Sequence, residues 1–472
     1  MTLKKIAAHA FISSATALFL INSAWAAIPI EHWTQPQGAQ VFLVQNHAIP
    51  MVDVQLDFDA GSRRDPASQA GLATVTSAMM SKGLQAGTAS AEPAMDENAL
   101  GEAWADLGAH FGGHASTDRM SFALRSLAYP ELLAQAAALA SRQLAQPAFP
   151  AAVWQREREA MQASIREANT RPATVAGRAF NQAVYGTHPY GFEVTPETLA
   201  AIDVRAMADL HQRSVLACRA TVTVVGAVTR DQADALVSTL LSRLAPAPKP
   251  ASTGAHSCPA LPAVADIAAL TQAIESRLAF DSAQAHVLMG QPGFKRNDPD
   301  FLALTVGNYI LGGGGFVSRL TEEVREKRGL SYSVYSYFAP AMHAGAFTIG
   351  LQTRPDQAEQ ALQVAREVLA RFVSEGPTEA ELQAAKANLI GGFALRLDSN
   401  RKLLDNVANI AWNKLPLNYL DTWTQHVEQL TTEQIRAAFA RKLQPQRMAT
   451  VVLGAAAATP APAISVSTAV TQ

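Results

Sequence analysis

The sequence holds only two cysteines in 472 residues, Cys218 and Cys258. Two thiols exclude a cysteine zinc cluster. In an oxidising compartment they could pair, or one could be a buried thiol and the other a linker thiol; the sequence leaves both open. Excess charge is also missing. A formal net charge of −2 leaves no electrostatic footprint for nucleic acid, so none is expected as a partner. Past the N-terminal region, no stretch reaches the ~18 uninterrupted apolar residues of a spanning helix. No G-x-S-x-G nucleophile elbow occurs. The run Gly312–Gly315 lacks a following G-K-[ST], which argues against a phosphate loop and for a flexible helix-to-loop connection.

What is present is a globular composition, 49% apolar and 17% charged, in a chain long enough for two or more domains. Lys4 and Lys5, the apolar run from Ile12 to Ile21 and the small residues Ala24 and Ala26 read as a secretory signal peptide, residues 1–26, cut after Ala26. The expected product is exported, periplasmic in a Gram-negative cell, with no membrane span after cleavage. Residues 245–262, rich in Pro, Ala and Ser, read as a linker, and 456–472 as a frayed tail. The flanking stretches, 38–244 and 263–455, echo each other. The turn "GSRRDP" (61–66) matches "GFKRNDP" (293–299), and "CRATVTVVGAV" (218–228) matches a segment beginning at Gln446, "QRMATVVLGAA". Each turn leads into a helix that stops at glycine, Gly83 and Gly312, and a helix-like stretch precedes each closing strand. Four matches in one order indicate an internal duplication. "VDVQLDFDA" alternates, with Val52, Val54, Leu56 and Phe58 on one face and Asp53, Gln55, Asp57 and Asp59 on a wet one. The fold class expected is α+β: two duplicated layered domains, largely antiparallel sheet with helices on one face, forming a clamshell.

The ordered set "AGSRRDP", a helix opening "GLA" and ending "KG", "HPYG" (188–191), "LGGGGFVSRLTEEVREKRGLSYSV" (311–334) and "ELQAAKANLIGG" (381–392) resembles the pitrilysin/insulinase family of zinc peptidases, which includes the mitochondrial processing peptidases. The resemblance covers about residues 38–455. Active members carry H-x-x-E-H in the first helix, two imidazoles on one face and a glutamate that polarises the metal-bound water. The five matching positions here read Thr74, Val75, Thr76, Ser77 and Ala78. The later helix of active members has two glutamates seven apart, the second a ligand; they fall at Glu157 and Ser164. The resemblance therefore implies that three ligands and the base are replaced, and neither H-x-x-E-H nor H-E-x-x-H occurs elsewhere. His110 and His114 have metal-binding spacing only on a helix; their glycine-broken, alternating context favours a strand, where they stand roughly 13 Å apart.

The resemblance also implies retained substrate contacts. An arginine and a tyrosine seven apart in the second half match Arg325 and Tyr332. Their structural alternative is an ion pair of Arg325 with Glu322 and a tyrosine in the sheet. The family pairs a peptide onto a sheet edge, here around Phe111, Gly112, Gly113 and His114, and the glycine-rich loop of an inactive subunit, here with Gly313 and Gly314, helps grip substrate. The leading expectation is a non-catalytic subunit of a periplasmic heterodimeric zinc metallopeptidase. It would hold no cofactor itself, binding peptide or unfolded polypeptide beside a homologous zinc-bearing partner. The alternatives are a stand-alone peptide-binding or scaffold protein, and an active metallopeptidase with unorthodox ligands, which the loss of four roles disfavours.

Overall fold

The computed structural model describes residues 28–87, 92–244 and 258–454. The expected signal peptide, most of the expected linker (245–257) and the expected tail lie outside the described residues. Among the described residues no helix is long and apolar enough to cross a membrane.

Alternating apolar residues build two mixed sheets. The first contains β1 (Glu31–Thr34), β2 (Gln40–Gln45), β3 (Met51–Phe58), β4 (His110–Ala115), β5 (Met120–Leu127) and β6 (Thr221–Gly226), in the order β1-β2-β6-β3-β5-β4. The second contains β7 (Ile274–Leu278), β8 (Ala285–Phe294), β9 (Ser333–Phe338), β10 (Gly345–Thr353) and β11 (Ala449–Leu453), in the order β9-β10-β8-β11-β7. Each sheet has one parallel pair, β2 with β6 and β11 with β7; the other pairs are antiparallel. Read outward from that pair, the second sheet repeats the first without β1. The duplicated turns follow the equivalent strands β3 and β8, and the duplicated closing strands are β6 and β11.

Four helices frame the candidate site and join the two halves: α1 (Leu72–Met79), α2 (Ala151–Ala168), α3 (Pro172–Tyr185) and α4 (Asn400–Trp412). Pro172 opens α3 at a position where its missing N–H costs nothing, and Gly186 at φ 56° ends it. The helix-like stretch that precedes the first closing strand, residues 196–210, is broken in two, Pro196–Ala200 and Val204–Ser214, because Asp203 caps a new start on the Ala206 N–H. Val52, Val54, Leu56 and Phe58 join the core of the first half together with Leu72, Val75, Met79 and Met80 of the α1 segment.

The expected wet face of β3 is dry. Asp57 is fully buried and Asp53 is 3% exposed. The cause is α4, which leaves its own half to lie across β2, β3 and β6, so that Phe42, Val44 and Val225 join the core of the second half. The exchange is reciprocal. From the first half, α3 packs Ala176, Phe180 and Val184 onto Ala449, Val451 and Leu453 of the second sheet. Each sheet is thus covered on both faces, once by its own helices and once by a borrowed one. Polar groups under α4 satisfy one another, as burial requires. Asp57 accepts from Gln55 (3.0 Å), Ser121 (2.5 Å) and Arg119 (2.8 Å), and Arg119 lies 5.6 Å from the Trp412 ring of α4. Desolvation raises the Asp57 carboxyl above its usual range, against the pull of Arg119.

Cys218 and Cys258 form a disulfide with Cα atoms 5.8 Å apart, which settles the question left open by the sequence. It ties residue 258 back to the first half, where Arg219 donates to the Pro259 carbonyl and Arg64 to that of Pro262.

Candidate functional site

The helix α1 spans eight residues and ends before the expected Gly83. Ser81 and Lys82 turn the chain out of it, and Gly83, at φ 133°, begins a short pairing with Asp96. Its N-terminus is capped from a distance. Asp65 Oδ2 accepts from the Gly71 N–H (2.9 Å) and Oδ1 from the Ala73 N–H (3.0 Å). Burial pushes the Asp65 carboxyl up to about 7, although these amides favour its charged form. The aspartate of "RRDP" was the available signal for this cap.

Thr74 and Ala78 stand exposed, four residues apart on one face of α1. Ser77 is buried and its hydroxyl donates to the Thr74 carbonyl (2.9 Å). Two hydroxyls and a methyl are not the imidazole, thiolate or carboxylate donors that zinc takes, so these side chains do not fit the metal. Among the described residues no group of three or more His, Cys, Asp or Glu side chains is placed to hold a metal ion. His110 and His114 lie on strand β4, exposed, and not on a helix.

The second helix, α2, brings Glu157 and Ser164 to opposite ends of α1. Glu157 meets Lys82, just past the end of α1, at 3.2 Å. Lys82 also pairs with Glu97 (3.2 Å), and Arg156 bridges the same two carboxylates (2.8 and 2.9 Å). The Arg156 hydrogen bond, with help from Lys82, holds the Glu157 carboxyl below its usual range. This four-charge cluster was not foreseen; the sequence offered only Lys82 in "KG" and Glu157, the latter in another role. Ser164 lines a cavity of about 430 Å³ with Val194, whose methyls also abut Gly71 at the start of α1. The edge strand β4 runs beside α1, so the expected peptide edge and the degenerate helix are neighbours. Phe111 is buried against Trp104 and Phe122, and a Cβ on Gly113 would meet the Phe122 ring at 2.6 Å.

Arg325 and Tyr332 stand apart from this group; none of their polar or ring contacts reaches α1, α2 or β4. Arg325 lies in a π-helical segment, Thr321–Glu326, and a second such segment, Tyr309–Gly313, carries the glycine run. The Arg325 guanidinium sits 4.8 Å from the ring centroids of both Phe316 and Tyr332, a cation–π sandwich. Its ion pair is with Glu326 (3.2 Å), whereas Glu322 pairs with Lys327. Tyr332 precedes β9 and is 82% exposed, with Phe316 at 73% and Val317 at 75%. The sequence reading missed Phe316, although it directly follows the glycines. The run itself is not a loose connection. A Cβ on Gly312 would lie 2.4 Å from the Ser336 hydroxyl, and on Gly314 2.6 Å from the Tyr309 carbonyl. Asn308 closes on Gly313 in the same way.

Comparison with known proteins agrees with this architecture. Residues 40–196 match the family described as Insulinase (Peptidase family M16), and residues 201–389 match the Peptidase M16 inactive domain. An uncharacterized zinc protease of Mycobacterium leprae is 32% identical over 306 residues, 63% of this chain and 65% of that protein. A non-peptidase homologue of Helicobacter pylori is 34% identical over 160 residues, 33% of this chain and 36% of that protein. The chain thus spans less than two thirds of either relative. A crystal structure of a peptidase M16 inactive domain from Pseudomonas fluorescens superposes with a TM-score of 0.82 at 32% identity, covering 91% of this chain and 99% of that one. With two M16-like domains, each a mixed sheet packed against helices, the chain belongs to the M16 (insulinase) peptidase family, whose named relatives include both zinc proteases and a non-peptidase homologue.

Proposed function

We propose that this chain is a non-catalytic member of the M16 family. It would work in the periplasm as one subunit of a heterodimeric zinc metallopeptidase, presenting peptide to a homologous partner that carries the metal. One observation supports this most: the outward face of α1, where active relatives hold their imidazoles, offers only Thr74 and Ala78. A methyl cannot bind zinc, and Ser77, turned inward onto a backbone carbonyl, cannot serve as the base. The substrate side of the site is better kept. Arg325, clamped between two rings, is preorganised to hold a peptide carbonyl or carboxylate, and Tyr332 is free to donate. The open edge of β4, at Phe111, Gly112 and Gly113, can pair with an extended peptide, and Gly313 and Gly314 shape the loop beneath Phe316.

The test is zinc content and peptidase activity of the mature chain alone, of its nearest homologue with an intact H-x-x-E-H, and of the two co-purified. The expected result is one zinc per pair, none in this chain alone, and more peptidase activity in the mixture than in the partner by itself. Tyr332→Ala should lower that gain without altering metal content. Stoichiometric zinc in this chain alone, or no gain on mixing, overturns the proposal.

A further inference from the structure

Between Cys258 and Leu270 the chain runs outside helices and strands, as a strap from the disulfide on the first half to the apolar cluster on the second sheet. Its half-buried residues recur at every third position, Cys258, Leu261, Val264, Ile267 and Leu270, with exposed pairs between them. That is the period of a polyproline II helix, which makes no internal hydrogen bonds and takes its donors from outside. The donors also come three apart: Arg219 to the Pro259 carbonyl, Arg64 to that of Pro262 (2.8 Å) and His188 Nε2 to that of Ala265 (3.0 Å). The two arginines stay charged at any working pH, whereas a histidine titrates. The His188 ring is 9% exposed and held in one tautomer. Its Nδ1 accepts from the Tyr190 N–H (3.1 Å), so the proton sits on Nε2 and the ring is neutral. A second proton would set one N–H donor against another. The second half closes on the same place. The His343 ring lies 5.3 Å from that of His188, and the His343 N–H donates to the Tyr190 hydroxyl (3.1 Å). Asp118 accepts from that hydroxyl (2.6 Å) and from the Met342 N–H (2.9 Å), and it faces Arg63 (3.1 Å); the Tyr185 ring stands behind Tyr190 at 5.7 Å. Asp266, on the strap, pairs with Lys295 and with His343 Nδ1 (both 2.8 Å). Both carboxylates near His188 are thus already engaged, and neither is spare for a charged ring.

We infer that this joint is an acid-released clasp: a proton on His188 breaks its hold on the Tyr190 N–H and lets the strap, the 188–191 loop and the turn before β10 come apart. Burial disfavours the charged ring, and the neighbouring His343 and Arg63 add to this, so His188 titrates below the usual histidine range. The sign follows: the clasp is fully held above pH ~6.5 and loosens as pH falls below it. A ring released into water recovers its usual pKa of about 6.5, so the released state gains about tenfold between pH 7.5 and 5.5 while the closed ring stays neutral. The exchanged helices and the disulfide hold the halves together without His188, so the release is local. It reaches the candidate site, because Tyr190 and Gly191 line the cavity beside Ser164. The inference does not depend on whether the chain is catalytic.

The experiment is amide hydrogen exchange of the full mature chain at pH 7.5 and 5.5, corrected for the intrinsic pH dependence and read on peptides covering 188–192 and 340–346. These contain the Tyr190, Met342 and His343 amides that side chains of the joint hold. Their corrected exchange should be about tenfold faster at pH 5.5, with protection in β8 and β11 unchanged. In His188→Gln the amide oxygen can accept from Tyr190 and the NH₂ can donate to Ala265, with nothing to titrate, so the acid response should vanish. His343→Gln should keep it. A second measurement needs no variant: in NMR of the wild-type chain with labelled histidines, the His188 ring should titrate below the value of histidine in water. Exchange at the joint that ignores pH, an acid response that survives in His188→Gln, or a His188 ring that titrates at or above the ordinary value overturns the inference.

Discussion

Replacing Phe180 by alanine tests whether the exchanged helices make the two halves one thermodynamic unit. Phe180 belongs to the first half by sequence, yet it is 3% exposed against the second sheet. Its ring tip presses on backbone: a Cβ on Gly290 would lie 2.9 Å from it. Strand β8 beneath it is paired on both sides, with β10 and β11, so the floor cannot rise to fill the hole. The loss therefore belongs near the middle of the range for buried phenylalanine, about 4 kcal/mol. If roughly 400 residues melt together, the unfolding entropy is about 0.8 kcal/mol per degree, and the single transition should fall by about 5 °C. If the halves melt separately, one transition should fall by about 10 °C while the other stays. Differential scanning calorimetry separates the cases, because a single unit also gives matching calorimetric and van't Hoff enthalpies. Two resolved transitions in the unmutated chain, with only one displaced in Phe180→Ala, would refute the reasoning.

Restoring the missing donors with Thr74→His, Ser77→Glu, Ala78→His and Ser164→Glu should produce a chain that retains one zinc through gel filtration. A folded variant without metal would mean that residue 164 does not reach the face of α1 that carries residues 74 and 78. Partial burial works to raise the Glu381 carboxyl, but the paired bonds from Arg319 and the Thr378 donors bring it down to about 2. That contribution is complete above pH ~4.5 and is lost as pH falls towards 2; allowing for solvent screening of a partly exposed group, it is about 1–2 kcal/mol. Denaturant titrations of wild type and Glu381→Gln should therefore differ at pH 7 and converge near pH 2; a gap that widens on acidification contradicts this sign. Gly312→Ala should destabilise by about 1–3 kcal/mol, since a methyl there overlaps Ser336, and an unchanged melting temperature would restore the picture of a loose loop.

Much of the layout was legible because the duplication repeats short, strongly patterned pieces. The turns at 61–66 and 293–299 and the valine-rich strands β6 and β11 announce equivalent places in two sheets. The helix α2 sits between two prolines that the sequence shows plainly, Pro150 as its N-cap and Pro172 at the start of α3. What a local pattern cannot carry is which partner covers a face. Asp53, Gln55 and Asp57 alternate like residues turned to water, and only α4, more than three hundred residues later, makes them interior. The same limit applies at the candidate site. Thr74 and Ala78 were readable as replaced donors, since chemistry is written in residue type. The Lys82–Glu157 cluster, the Asp65 cap and the Phe316 sandwich depend on distances that no spacing rule encodes.

The disulfide straddles the stretch from 245 to 257, with Cys218 before it and Cys258 after it. A protease that cut there would not release two fragments. The bond would keep them covalently joined, and α3 and α4 would still lie on each other's sheets. The nicked protein should migrate as one species on a non-reducing gel and as two on a reducing one, with its melting temperature nearly unchanged. Under the proposed function, in which the chain works beside a peptidase, a cut between Cys218 and Cys258 would leave the protein in one piece.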